Sequence, residues 1–158
     1  MCKILFLDID GVLNSHAYDQ VRTAEQGNID ETRLPLLGQL VERTQAQIVL
    51  TSSWRKHWEK DTVSCDEKGR EINETFAGHG LTIFDKTPLH ESNDRADEIR
   101  AWLSAHPQVT AFAILDDIAY GWGADLQEHT VRTNHRIGRG LEQKHVEAAI
   151  RILNGEKA

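Results

Sequence analysis

The stretch Lys3-Ile4-Leu5-Phe6-Leu7-Asp8-Ile9-Asp10-Gly11-Val12-Leu13-Asn14 passes from an unbroken apolar run directly into acid. Ile4 to Leu7 show no polar alternation, which is the pattern of a central strand buried on both faces. A strand covered on both sides implies helices above and below it, and therefore a largely parallel sheet joined by crossover connections. The remaining sequence fits that plan. Apolar runs at Gln47 to Leu50, Leu81 to Phe84, Ala111 to Leu115 and Thr130 to Thr133 have strand length. Helical spacing appears at Leu34, Leu37, Leu40 and Val41, at Ile99, Trp102 and Leu103, and at Val146, Ala149, Ile150 and Leu153. Asn93 or Asp94 is placed to cap the second of these helices, with Asp97 and Glu98 near its positive end. The expectation is an α/β fold with a five-stranded, mostly parallel sheet. Lys56 to Gly80 is polar and reads only as a helix followed by a surface loop or a small hairpin.

Length and composition set outer bounds. A chain of 158 residues corresponds to about one domain and buries roughly 70% of its unfolded surface, so residues 1–158 are expected to form a single unit without staples. No apolar run approaches the ~18 residues of a membrane span, and no small-residue cleavage site follows Met1. Cys2 and Cys65 are too few for a disulfide framework or a four-thiolate site, which points to reduced thiols in a cytoplasm. The net charge of -7 argues weakly against nonspecific coating of nucleic acid.

In parallel sheets the site forms beyond the carboxyl ends of the strands, so the residues following each run carry the functional information. Asp8 and Asp10, one residue apart after a buried strand, place charge where it is costly unless a cation compensates. The competing reading is a simple Asp10-Gly11 turn. Asp116 and Asp117 end the fourth run in the same way, and four carboxylates from neighbouring strands would suit Mg²⁺, which favours oxygen ligands. Thr51-Ser52-Ser53-Trp54-Arg55 after the second run offers hydroxyls and amides, either as a phosphate cradle or as an ordinary helix cap.

Taken in order, Asp8-x-Asp10-Gly11-Val12, Thr51-Ser52, a basic residue opening the helix before the fourth strand, and Asp116-Asp117 resemble the haloacid dehalogenase (HAD) superfamily of phosphatases. The words FLDIDGVLN, IVLTSSWR, R-x-x-EI-x-x-WL and ILDD are most similar to the HAD domain of Swiss Army Knife RNA repair proteins, from about Lys3 to the C-terminal helix. The resemblance implies a HAD-like Rossmannoid three-layer sandwich. It also implies roles: Asp8 as the nucleophile that forms an aspartyl-phosphate, and Asp10 as general acid and then base, with its backbone carbonyl on the metal. Thr51 would hold phosphoryl oxygens, and Asp116 would ligate Mg²⁺ with Asp117 as a direct or water-mediated partner. The implied metal set is therefore Asp8, Asp10, Asp116 and Asp117. The basic residue of the third motif is assigned to Arg95, with Lys86 as its rival, because many members of the superfamily use lysine there.

Substrate choice is less constrained. Nineteen residues separate Asn14 from Leu34, too few for an independent cap domain, so a capless or minimally capped, open site is expected. Ser52 and Arg55 are candidate phosphate contacts, although Arg55 also reads as a solvated helix charge. Trp122, between Gly121 and Gly123, is the expected base-stacking residue alongside Tyr120, whereas Trp54 and Trp58 at helical spacing are expected in the core. Residues 1–128 carry -10 and residues 129–158 carry +3. Arg132, Arg136 and Arg139, with His129 and His135, either contact a polynucleotide backbone or are simply solvated. The leading expectation is a Mg²⁺-dependent phosphomonoester hydrolase, with a polynucleotide 3′-phosphate in nucleic-acid repair as the candidate substrate. A small-molecule or mononucleotide phosphatase and a non-catalytic phosphate-binding scaffold are the alternatives.

Overall fold

A computed structural model describes residues 2–156; Met1, Lys157 and Ala158, which the expected domain bounds include, lie outside the described residues. Five strands form one sheet: β1 (Cys2–Leu7), β2 (Gln47–Leu50), β3 (Ile83–Lys86), β4 (Val109–Asp116) and β5 (Thr130–Arg132). Their order is β3-β2-β1-β4-β5, and every pairing is parallel. β1 is central, as its uniform apolarity requires. Ile4 and Phe6 face one layer with Val49 and Ile114, while Leu5 and Leu7 face the other with Ile48, Leu50, Ala113 and Leu115. This alternation produces two cores from one strand.

The helices are α1 (His16–Val21), α2 (Leu34–Thr44), α3 (Glu67–Ala77), α4 (Arg95–Ser104), α5 (Ala124–Gln127) and α6 (Gln143–Leu153). Leu34, Leu37 and Leu40 of α2 and Val146, Ala149, Ile150 and Leu153 of α6 fill the first core. Ala96, Ile99 and Trp102 of α4 fill the second, where Trp102 and Phe112 both meet the Phe6 ring edge-on. Asp94, rather than Asn93, caps α4 by accepting from the Ala96 amide; Asn93 adopts a left-handed φ of 54° in the preceding turn.

Several boundaries differ from the sequence reading: β4 begins two residues before its apolar run, at Val109, and β5 ends one residue early, at Arg132. β3 begins two residues later than its apolar run, because Leu81 is still hydrogen-bonded back to Phe76 at the end of α3. The polar segment after Lys56 contains no hairpin. It forms a 3-10 turn at Thr62–Ser64 and then α3, capped by Asp66, with only Gly69, Ile72 and Phe76 buried. Three buried positions over eleven residues are too sparse for the periodicity to stand out. Among the described residues no cap domain interrupts the sheet, and no helix is long and apolar enough to cross a membrane.

Because α3 holds the first core through so few side chains, Phe76→Ala is expected to cost about 3–5 kcal/mol in chemical denaturation, the value for a core aromatic. A loss below about 1 kcal/mol would show that α3 is a detached flap.

Candidate active site

The sheet continues past its strand ends by one hydrogen bond at each junction. The Asp8 amide donates to Leu115 O, Thr51 to Leu7 O, Thr87 to Leu50 O and Thr133 to Asp116 O, at 2.9–3.1 Å. This ladder brings the residue after each strand into one row along the carboxyl edge, which is where doubly wound sheets place their ligands.

Three carboxylates converge there. Oxygens of Asp8, Asp116 and Asp117 lie within 4.8 Å of one another, and Asp8 and Asp116 are buried. The Arg95 guanidinium spans the first two, 3.1 Å from Asp8 Oδ2 and 2.8 Å from Asp116 Oδ2. The remaining oxygens are oriented by backbone: Asp8 Oδ1 accepts from Ile9 N and Asp116 Oδ1 from Ile118 N. Burial first, then repulsion from Asp116, pushes Asp8 up to about 8 despite Arg95. Burial likewise raises Asp116, with Arg95 opposing it. Burial alone would lower Arg95, but Asp8 and Asp116 outweigh it and raise the guanidinium above its ordinary value.

An all-oxygen donor set of three carboxylates facing one arginine carries two surplus negative charges when ionised. That charge deficit and the upward shifts fit a hard dication such as Mg²⁺. Gly11 makes the convergence possible, since its φ is +84° and a Cβ there would lie 2.2 Å from Asp117 Oδ2. On its outer side Asp117 is 2.9 Å from His135 Nδ1.

Asp10 stands apart from the three. Its carboxylate is exposed and held at both ends, Oδ1 by the Asn14 side-chain amide at 2.9 Å and Oδ2 by the Trp54 indole N–H at 3.1 Å. Asn14 and Trp54 are contacts that sequence reasoning missed. Trp54 at helical spacing reads as core, and only the tertiary fold shows its nitrogen reaching Asp10 from 44 positions away.

The second motif is not a helical phosphate cradle. Ser52 Oγ accepts from Trp54 N and caps a single 3-10 turn, Ser53–Lys56. Thr51 is fully buried, and its hydroxyl has no partner among the described residues, like that of Thr87 at the end of β3. Arg55 is displaced from the role expected of it. It is buried and donates to the carbonyls of Thr51, Ser52 and Thr87 and to Glu98 of α4, so it braces the turn instead of facing solvent. Lys86 points away, to the carbonyls of Arg55 and Trp58 and to Glu59, leaving Arg95 as the cation beside Asp8.

Trp122 is also relocated. It is 2% exposed, packs in the second core and donates to Ile118 O, whereas Tyr120 is 81% exposed. The left-handed glycines 121 and 123 turn the indole inward, where apolar burial outweighs solvent contact. Tyr120 and Arg95 share a cavity of about 380 Å³ with Ser92 and Ile118. A second cavity, about 260 Å³, is lined by Asp10, Asn14, His16, Asp117 and His135.

A family model described as the HAD domain in Swiss Army Knife RNA repair proteins matches residues 4–146. The chain belongs to this family. The match runs from β1 into α6, so every element that shapes the carboxylate cluster lies inside the HAD domain. Comparisons with curated proteins and with solved structures give no match.

The electrostatics of the site set two expectations for stability. The folded pKa of Asp8 lies above its unfolded value, so its contribution is present below about pH 4 and is lost as pH rises towards 8. In chelator, Asp8→Asn is therefore expected to raise the melting temperature, by a margin that grows between pH 5 and 8; a margin independent of pH would contradict this. Arg55→Met is expected to cost about 3–5 kcal/mol by leaving Glu98 buried and unpaired, and Arg55→Met/Glu98→Leu to recover most of it.

Proposed function

We propose that this HAD domain is a Mg²⁺-dependent phosphomonoesterase that works through an aspartyl-phosphate on Asp8, with the 3′-phosphate end of a nucleic-acid strand as its substrate. The observation that carries the reading is the division of labour among the carboxylates. Asp8 is buried beside Arg95 and two further acids, while Asp10 is exposed and held outside the cluster by Trp54 and Asn14.

Asp8, Asp116, Asp117 and the Asp10 carbonyl would hold the Mg²⁺, which when bound supplies positive charge that keeps Asp8 ionised and offsets the phosphoryl charge. Arg95 contributes to the same end from the protein side, since an anionic carboxylate approaches an anionic phosphate only where their repulsion is offset. An Asp8 oxygen forms a bond to phosphorus as the bond to the leaving oxygen breaks, and Asp10 donates its proton to that oxygen. Asp10, now ionised, takes a proton from water as the water oxygen attacks phosphorus. The bond from phosphorus to Asp8 breaks, releasing phosphate and the free carboxylate. Two fixed hydrogen bonds on Asp10 keep its carboxyl oriented through both transfers. The Thr51 hydroxyl, buried and without a partner among the described residues, would turn outward to meet a phosphoryl oxygen.

The family's RNA repair setting and the uninterrupted, capless sheet of the described residues support a polymer end as substrate, and exposed Tyr120 beside Arg95 offers a face for its terminal base. Two cysteines without a disulfide suit the reducing cytoplasm in which such repair takes place. The interior position of Trp122 favours the mononucleotide alternative, because it removes one of the two stacking platforms a strand would use.

Phosphate release in Mg²⁺ from 3′-phosphorylated oligonucleotides, set against a panel of phosphorylated metabolites and mononucleotides, separates the readings. Preference for the oligonucleotides is expected, and inactivity on all of them would exclude repair. Asp8→Asn is expected to abolish turnover; full activity would eliminate the covalent route. Asp10→Asn is expected to lower kcat on the oligonucleotide by about 10²–10⁴, and far less on p-nitrophenyl phosphate, whose leaving group departs without a proton. Equal losses on both would remove Asp10 from the role of acid.

A further inference from the structure

We propose that residues 132–139 form a preorganised arm that binds the backbone phosphates of a single nucleic-acid strand upstream of the terminal phosphate held at Asp8. The proposal rests on the phosphatase reading for its reacting end and on separate observations for the strand.

The first observation is unpartnered charge. Among the described residues, Arg132, Arg136 and Arg139 form no ion pair, as is also true of the scattered Arg70 and Arg151, whereas Arg22, Arg33, Arg43, Arg55, Arg95 and Arg100 each meet at least one carboxylate; Arg132 donates only to the Asp117 carbonyl, at 3.4 Å. Arg132, Arg136 and Arg139 are not buried by any neighbouring element. Nearby acids have other partners: Asp30 accepts from Thr32 and lies 3.8 Å from Arg33, Asp19 lies 3.9 Å from Arg22, Asp117 lies 2.9 Å from His135, and Glu142, whose carboxylate borders Gly138, takes part in the capping box of α6.

The second observation is rigidity. Asn134 and Gly140 form an antiparallel bridge that closes the loop, and Asn134 Oδ1 accepts from the amides of Arg136 and Ile137. The closed loop is fastened to the catalytic segment at three points. Thr133 Oγ1 donates to Gly11 O at 2.7 Å, the His16 amide to His135 O, and the Leu141 amide to Val12 O. Gly140 has a φ of +79°, and a Cβ there would lie 2.5 Å from Val12 O, so the loop meets the catalytic backbone at van der Waals range. An arm fixed in this way loses little conformational freedom on binding.

The third observation is position. Arg132 pairs in register with Asp116 at the carboxyl edge of the sheet. His135 lines the 260 Å³ cavity that contains Asp10 and Asp117, while Arg139 lines an adjoining cavity of about 360 Å³; Ser15 borders both. Arg132 therefore stands next to the carboxylate cluster and Arg139 at the adjoining cavity, and the linings of the two cavities also hold Asp19 and Asp30 with the partners named above. Ile137, 89% exposed between Arg136 and Arg139, presents apolar area that can be covered by the faces of unpaired bases but not by duplex phosphates.

The test is fluorescence anisotropy of a labelled ten-nucleotide RNA bearing a 3′-phosphate, bound to the full chain carrying Asp8→Asn, across a salt series. Arg132→Gln/Arg136→Gln/Arg139→Gln is expected to weaken binding at least about tenfold at low salt and to reduce the log–log salt slope by about 2. Arg136→Gln alone, at the exposed loop tip, is expected to reduce the slope by about 0.7, which protects the test against misfolding of the triple variant. Lys3→Gln/Arg151→Gln removes two charges at the opposite end of the sheet, where Lys3 meets Asn154, and is expected to leave the slope unchanged. An unaltered slope in the triple and single arm variants, an equal effect of the distal pair, or tighter binding of a duplex than of the single strand would each overturn the proposal. Phosphate release from p-nitrophenyl phosphate by the wild-type chain tests the phosphatase reading separately. Its absence alongside the expected slopes would refute the chemistry and leave the arm standing.

Discussion

Everything at the carboxyl edge of the sheet depends on one electrostatic constraint: two buried carboxylates, Asp8 and Asp116, share one guanidinium, Arg95. Neither acid is comfortable when ionised in that setting, as the rise of Asp8 to about 8 shows. A single arginine offsets only part of the charge of Asp8, Asp116 and Asp117. The cluster therefore keeps surplus negative charge that a cation between the acids would offset. Folding stability is sacrificed locally so that the acids are already gathered, with strand register and the Gly11 turn holding them in place.

The same logic separates the two aspartates of the first motif. They are only two positions apart, yet one directly follows a buried strand and the other lies in a solvent-facing turn. Asp8 inherits the dielectric of the sheet interior, whereas Asp10 inherits water and two neutral donors, Trp54 and Asn14. Two chemically identical side chains thus stand in opposite surroundings, one desolvated beside other acids and one exposed to water.

How far the sequence is legible depends on the range of each signal. The central strand, the parallel plan and the position of the acids are all written in short apolar runs and in the one or two residues at their carboxyl ends, and these are local properties. Arg95 is also locally marked, standing at a helix start before the fourth strand. α3 leaves only a faint trace because it is anchored by Gly69, Ile72 and Phe76 alone. The side chains that local reading misplaces, Arg55 and Trp122, are those whose setting is decided by distant partners. Glu98 lies 43 positions from Arg55, and Trp122 enters a core assembled from β1, β2, β4 and α4. A charge next to a phosphate motif and an aromatic between glycines both look like binding groups until the tertiary partner is known.

α4 is the element that ties these regions together. Within ten residues it sends Arg95 to Asp8 and Asp116, Glu98 to the Arg55 brace under the second motif, and Arg100 to Asp125 and the carbonyl of Trp122. Three motifs that are remote in the chain are thereby referred to one rigid body. In evolutionary terms such a helix behaves as a linkage group. Positions 55 and 98 can change together with less penalty than either can change alone. A substitution on the buried face of α4 would be felt at the carboxylate cluster, at the second motif and at Trp122 together.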